Sequence, residues 1–207
     1  IKLNNRSRLK MNIKYIQADK LEFDPRPQMG EIFAEGQAHL FTSFSKDTKR
    51  LAKAFAHIFD LRYFYLAVDE NVVTAMAACT DGFSPIKFDK NTCRKELGFV
   101  RGWLAYSILT KYIVNHKFPF DFITGMGRIE IVGTAGKFRD KGIAYGLLKH
   151  IMESTPFIEY VLEVIDNNVG AIKLYEKLGF ETFQKVIDKN SKQSGINAFL
   201  YMKHTSK

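Results

Sequence analysis

The chain has 207 residues, 46% hydrophobic and 14% aromatic, a composition that fits one globular domain and excludes a disordered protein. No window approaches the roughly 20 apolar residues of a membrane span, and two cysteines exclude a disulfide framework, so we expect a cytoplasmic protein without membrane contact. The net charge of +9 is dispersed, and it is compatible with nucleic acid, a membrane surface or a polyanionic small ligand.

The first 80 residues predict a strand, two amphipathic helices and a hairpin. We expect residues 1–11 to be a flexible lead-in and residues 12–207 to form the domain. Two prolines end the first strand, and apolar residues at helical spacing follow them. The predicted elements are a strand over 12–21, helices over 29–44 and 46–59, and strands over 63–68 and 72–80 joined by the turn Asp69-Glu70-Asn71.

A long insertion, residues 83–122, separates the third predicted strand from the fourth. Its first part is a loop over 83–91. Its second part is predicted to be one helix over 93–116, because apolar residues recur there at helical spacing. These residues are Leu97, Val100, Leu104, Ile108 and Tyr112. The insertion either covers a substrate site or extends the core.

The second half predicts a strand that ends near Thr134, then a turn, and then alternating helices and strands. A helix that starts after Asn167 or Asn168 ends before Gly179, which fits the usual residues for helix starts and stops. The other elements are a helix over 144–153 and strands over 160–165, 181–187 and 198–202. The pattern predicts a single α/β (α+β) domain with a mixed, largely antiparallel sheet of about seven strands flanked by helices.

The turn between the fourth strand and the following helix predicts a phosphate site. It reads Arg139-Asp140-Lys141-Gly142-Ile143-Ala144. A strand that turns through glycine into a helix leaves the first helical amides unpaired, and these amides and the helix dipole attract phosphate oxygens. Gly142 has no Cβ to block a ligand, and Arg139 and Lys141 add positive charge. We therefore expect a pyrophosphate to bind here.

Other phosphate and metal motifs do not fit the chain. The segment from Gly133 to Lys137 is too short for a Walker A loop, and the full dinucleotide fingerprint of three glycines is absent. The five histidines are scattered without paired spacing, so we predict no metal site.

Two segments together resemble the GNAT superfamily of N-acetyltransferases. Residues 139–144 match its acetyl-CoA signature, Arg/Gln-x-x-Gly-x-Gly/Ala after a strand. Residues 168–180 are similar to its Asn-x-x-Ala…Leu-Tyr-x-x-x-Gly-Phe segment. The resemblance covers residues 129–183 closely and the rest only in general layout. It implies a GNAT-like domain that uses acetyl-CoA, with an inserted helix before strand four as a departure from the family.

The resemblance also implies two catalytic residues. Transfer to an amine requires a base, because a lysine-like amine has a pKa near 10.4, and it requires a proton for the leaving thiolate. Glu130, on the fourth strand just before the turn, is the candidate base, and the alternative is an exposed or salt-bridged strand residue. Tyr175 occupies the position of the family's general acid, but it also belongs to the inward stripe of its helix.

A further set of residues is implied to bind the cofactor. Val132, Gly133 and Thr134 would pair through their backbone with the pantetheine arm, and Asn168 and Tyr175 would lie close to it. The residues implied to surround the pyrophosphate are Lys137, Phe138, Arg139, Asp140, Lys141, Gly142, Ile143 and Ala144. One departure is Gly136, which stands where many relatives have proline.

The predicted function is acetyl transfer from acetyl-CoA to the primary amine of a small-molecule or peptide acceptor. We expect direct transfer, because neither Cys79 nor Cys93 lies in a motif. The acceptor and the oligomeric state are not identified. The main alternative is a non-catalytic acyl-CoA sensor or interaction module, and nucleic-acid binding ranks third.

Overall fold

A computed structural model describes residues 11–36, 45, 47–114, 118–189, 191 and 195–205. All but the last residue of the predicted lead-in lie outside this part of the chain. The predicted helices over 29–44 and 93–116 lie partly outside it at their C-terminal ends.

Seven strands form one open sheet in the order β1-β2-β3-β4-β5-β7-β6. All neighbours are antiparallel except β4 and β5, which run parallel. The mixed, largely antiparallel sheet of the prediction is therefore confirmed. The strands are β1 Ile13–Gln17, β2 Phe64–Asp69, β3 Val72–Thr80, β4 Met126–Thr134, β5 Glu159–Ile165, β6 Glu181–Ile187 and β7 Ala198–Thr205.

Six α-helices flank the sheet within the described residues. They are α1 Arg26–Gly36, α2 Thr48–Phe55, α3 Lys90–Leu97, α4 Phe99–Leu109, α5 Ile143–Ser154 and α6 Val169–Lys177. Several begin at side chains that accept bonds from the first helical amides, such as Asp47 before α2, Asp89 before α3 and Asn168 before α6. The predicted Asn168 cap is thus confirmed, with its Oδ1 3.2 Å from the nitrogen of Ala171.

The two faces of the sheet pack against different helices. The first core contains buried residues of α1 to α4 and of one face of β2 and β3, among them Phe33, Phe55 and Met76. The second core contains residues of α5, α6 and the opposite face, among them Leu147 and Tyr160. Within β4, Ile129 belongs to the second core, whereas Ile131, two residues further on, packs against the first.

The insertion differs from its prediction. Instead of one helix over 93–116, the chain forms α3 and α4, separated at Gly98, whose φ of 90° interrupts the helix. A π-helical turn over Thr110–Val114 follows α4. The predicted apolar stripe is also wrong in part, because Val100 is 72% exposed and Leu104 39%, whereas Ala105 and Leu109 are the buried apolar residues of α4. The insertion's second helix therefore packs on the first core through its C-terminal part, where Leu109 is buried and Tyr106 and Ile108 lie against it.

Other element boundaries differ by a few residues. The first strand ends at Gln17 rather than Leu21, since a 3-10 turn over Ala18–Lys20 takes its place. The second helix ends at Phe55 and continues as a 3-10 turn over Ala56–Ile58. Strands β3 and β6 have their predicted bounds. The ends of helices and strands shift where an alternative hydrogen-bonding pattern costs little free energy. Apolar periodicity therefore predicts the ends of an element less accurately than its presence.

Candidate active site

A gap in the sheet between β4 and β5 is the central feature of the site. The two strands pair at only three positions, the last of which joins Arg128 to Val161. Beyond Arg128 the described residues form no pairing between these strands. Ile131, at a φ of 54°, lies at a bulge that shifts the register of β4 against β3. The C-terminal half of β4, including Val132, Gly133 and Thr134, therefore forms an edge that β5 does not pair with.

Helix α5 begins beside this gap with an open N-terminus. Gly142 precedes it at a φ of 75°, and no side chain caps it. A Cβ at Gly142 would meet no atom within 4 Å, so the space in front of the helix is clear. The first bond within the helix runs from the nitrogen of Gly146 to the oxygen of Gly142. The amides of Ile143, Ala144 and Tyr145 therefore have no acceptor in the helix, and they suit an anion such as a pyrophosphate.

Two lysines supply positive charge near this turn. The ammonium groups of Lys137 and Lys141 lie 5.0 Å and 5.3 Å from the ring centre of Phe138, and both residues are exposed. Asp140, with a φ of 59°, adopts the left-handed conformation and redirects the chain toward Gly142. The predicted pyrophosphate residues are therefore brought together around the start of α5.

The Arg139 side chain contacts helix α1 and the end of β4. Its Nη2 lies 3.0 Å from Oε1 of Glu35 on α1, and its Nε donates to the oxygen of Thr134. The second oxygen of Glu35 accepts a bond of 3.1 Å from the nitrogen of Gly136. A proline at position 136 could not donate this bond, which gives the departure from the family pattern a physical reason. Glu35, which no motif identified, thus connects α1 to the turn.

Glu130 forms a buried ion pair on the first-core face of β4. Its Oε2 lies 2.7 Å from Nη2 of Arg128, and the side chains are only 12% and 7% exposed. The face follows from its neighbours, because Ile129 belongs to the second core and Ala78, which pairs with Glu130, to the first. Burial lowers the pKa of Arg128, but a guanidinium stays charged at neutral pH. Sequence reasoning missed Arg128, whose spacing of two residues from Glu130 was the available signal.

Tyr175 lies on the opposite side of the sheet from Glu130. It belongs to the second core, against which Val132 also packs, and it is 6% exposed. Burial raises the pKa of its hydroxyl, so the group keeps its proton at neutral pH. Glu130 and Tyr175 thus point to different faces of the sheet.

The thiols and the remaining candidate, Asn168, have structural roles. Burial raises the pKa of Cys79 to about 12 and that of Cys93 to about 11, so neither is a thiolate at neutral pH. The Asn168 side chain caps α6, as described above. In the part of the chain that the structure describes, no three histidine, cysteine, aspartate or glutamate side chains form a group suited to a metal ion. None of the described helices is both long and apolar enough to cross a membrane.

Comparisons with known proteins agree with this architecture. The sequence profile of the acetyltransferase (GNAT) family matches residues 28–180. An N-acetyltransferase from Staphylococcus aureus Mu50 superposes with a TM-score of 0.60 at 18% identity, over 92% of this chain and 100% of that one. No curated protein matches the chain in sequence.

Two further solved structures have the same fold. A putative acetyltransferase from Salmonella typhimurium, solved with acetyl-CoA, superposes with a TM-score of 0.57 at 17% identity, over 95% of this chain and 94% of that one. The ribosomal-protein-S18-alanine N-acetyltransferase from Escherichia coli superposes with a TM-score of 0.53 at 16% identity, over 94% of this chain and 95% of that one. The parted strands and the open start of α5 agree with these comparisons. Because the family profile spans most of the domain, the chain belongs to the GNAT acetyltransferase family.

Proposed function

We propose that this protein transfers an acetyl group from acetyl-CoA directly to the primary amine of a small-molecule or peptide acceptor. The observation that carries the proposal is the parting of β4 and β5 beyond Arg128, directly before the open N-terminus of α5. The edge of β4 at the gap offers its backbone to an extended amide-containing arm. The start of α5 offers unpaired amides to a pyrophosphate. The buried thiols support cytoplasmic function.

Each candidate residue has a distinct task in this proposal. Val132, Gly133 and Thr134 would bind the pantetheine arm through their backbone, and residues 137–144 would bind the pyrophosphate, with its charge balanced by Lys137 and Lys141. Asn168, at the start of α6, would lie close to the pantetheine arm. Acetyl-CoA supplies an activated acetyl thioester.

Glu130 and Tyr175 would handle the protons. As the amine nitrogen bonds to the acetyl carbon and the carbon–sulfur bond breaks, Glu130 would accept the amine proton, directly or through water. Tyr175 would donate a proton to the departing sulfur, since its hydroxyl is protonated at neutral pH. Because the two side chains point to opposite faces of the sheet, a thioester held in the gap would meet the base on one side and the acid on the other. Protonated thiols at neutral pH favour this direct route over an acyl-enzyme.

Calorimetric titration with acetyl-CoA tests the binding site. We expect the wild type to bind, and Gly142→Glu to lose affinity by about 100-fold, since the new carboxylate repels phosphate at the open helix start. Gly98→Glu is the matched control, because Gly98 also precedes a helix at positive φ in open space. Equal affinities in both variants would argue against a pyrophosphate at α5.

Thiol release from acetyl-CoA in the presence of an amine panel tests the reaction. Turnover by the wild type and a lower kcat in Tyr175→Phe, with acetyl-CoA affinity unchanged, would support catalysis. Binding without turnover on small amines, polyamines and peptide N-termini would instead favour the non-catalytic acyl-CoA sensor. No acetyl-CoA binding by the folded wild type would contradict both functions.

A further inference from the structure

The insertion reaches the candidate base through an arginine. The guanidinium carbon of Arg128 lies 4.5 Å from the ring centre of Phe118, which belongs to the end of the inserted segment. The same guanidinium pairs with Glu130 at 2.7 Å. A flat aromatic ring over a flat guanidinium is favourable when water is excluded, and here Arg128 is 7% exposed. The contacts run in sequence from Phe118 to Arg128 to Glu130.

The position of Phe118 is itself fixed by other rings. Phe118 packs edge-on against Phe120, Phe122 and Tyr201, with ring centres 5.2–5.5 Å apart. Phe120 also contacts Tyr201 at 5.7 Å and Phe183 at 5.1 Å, which connects the segment to β7 and β6. Such edge-to-face contacts have defined geometry. Phe118 therefore cannot move away from Arg128 without disturbing several aromatic contacts.

The charges around this ion pair come from three other strands. The Glu163 carboxylate on β5 interacts electrostatically with Arg128 and favours its charged form. Tyr201 on β7 forms a hydrogen bond with Glu163. Cys79 on β3 also lies within the electrostatic influence of Glu130, but its thiol is neutral at neutral pH. Arg128 thus presents a positive charge to two carboxylates, those of Glu130 and Glu163.

We propose that Arg128 and Phe118 are positioning residues that hold the Glu130 carboxylate ionised and oriented at the gap between β4 and β5. This rests on the proposed function, in which Glu130 accepts the amine proton. It also assigns a task to the insertion: its C-terminal segment covers the ion pair and keeps water from competing for the guanidinium. The outer helix α4, by contrast, contributes no part of this arrangement.

Titration of the Glu130 carboxyl carbon by NMR tests the role of Arg128 without any substrate. The Glu130 signal is assigned by its loss in Glu130→Gln. In Arg128→Met we expect the midpoint of this titration to rise by about one pH unit or more, because a positive charge that favours the carboxylate is removed. Arg128→Lys keeps the charge and should return the midpoint toward the wild-type value. An unchanged midpoint in Arg128→Met would overturn the proposal.

Kinetics then test Phe118, and they remain informative if Arg128→Met does not fold. We expect Phe118→Leu to lower kcat by about tenfold with acetyl-CoA affinity unchanged, because a poorly placed base loses much of its effect. Phe183→Leu is the matched control, since it removes one ring from the outer edge of the same cluster. Equal kcat values in the two variants would overturn the assignment of Phe118. A wild type that acetylates no amine would contradict the proposed function, whereas the titration would still decide the positioning role.

Discussion

Two arginine–glutamate pairs flank the candidate site, and they differ mainly in burial. Arg128 and Glu130 lie 2.7 Å apart with 7% and 12% of their side chains exposed, whereas Arg139 and Glu35 lie 3.0 Å apart with 50% and 45% exposed. Water screens the second pair and leaves it worth under about 1 kcal/mol. If one partner of the Arg128–Glu130 pair is removed, the other is left as an uncompensated buried charge, which costs about 3–5 kcal/mol. The same two residue types therefore form a buried ion pair in one place and a solvent-screened ion pair in the other.

Replacement of each arginine gives the largest expected contrast. We expect Arg128→Met to lower the free energy of unfolding by about 3 kcal/mol, because the Glu130 carboxylate would lose its buried counter-charge. Arg139→Met should cost about 1 kcal/mol or less, since Glu35 can be solvated. Urea denaturation of both variants measures the difference. Similar losses would mean that burial does not distinguish the pairs.

Replacement of each glutamate separates catalysis from attachment. Glu130→Gln keeps the shape of the side chain but removes its ability to accept a proton, so we expect kcat to fall by about 100-fold. Glu35→Gln should leave kcat close to wild type, because no reacting group is assigned to it. Steady-state kinetics across pH measure both. An unchanged kcat and pH profile in Glu130→Gln would remove Glu130 from the mechanism.

A double replacement tests whether the uncompensated charge of Glu130 causes the loss of stability in Arg128→Met. Arg128→Met with Glu130→Leu removes both buried charges and substitutes apolar groups of similar size. We expect its unfolding free energy to lie within about 1 kcal/mol of wild type, well above that of Arg128→Met alone. The thermodynamic cycle is completed with Glu130→Leu. If the double variant were as unstable as Arg128→Met, packing rather than an uncompensated charge would explain the loss.

The smallest expected effect concerns the attachment of α1 to the turn. Glu35→Gln weakens the ion pair to Arg139, and we expect it to cost under about 1 kcal/mol at low salt. At high salt the difference from wild type should shrink, because exposed charges are screened over a few ångströms. Urea denaturation at two salt concentrations measures this. A loss that persists unchanged in high salt would indicate that the pair is effectively buried.

Much of the fold could be predicted from periodicity and turn residues. The bounds of β3 and β6 were predicted correctly, and Asn168 and Gly179 mark the predicted start and end of α6. These signals are local, because a cap or an alternating strand depends on a few adjacent residues. The insertion was harder to predict, since Gly98 breaks its helix and the apolar side chains of Val100 and Leu104 face outward. Helical spacing alone does not tell which face is covered.

The candidate site divides in the same way. The turn with Gly142 was predictable because the open start of α5 depends only on a strand, a glycine and a helix in succession. The role of Glu35 could not be predicted, because 104 residues separate it from Arg139. Nor could the contact of Phe118 with Arg128, which requires the inserted segment to fold back over the sheet.

The sequence by itself determined most of the order of helices and strands, the glycine turn before α5 and the family, because these depend on local patterns of side chains and glycine. Tertiary structure decided which charges are buried, since burial results from packing between distant segments. Arg128 and Arg139 are chemically identical residues, and their different burial, to which Phe118 contributes at Arg128, gives the two ion pairs different energies.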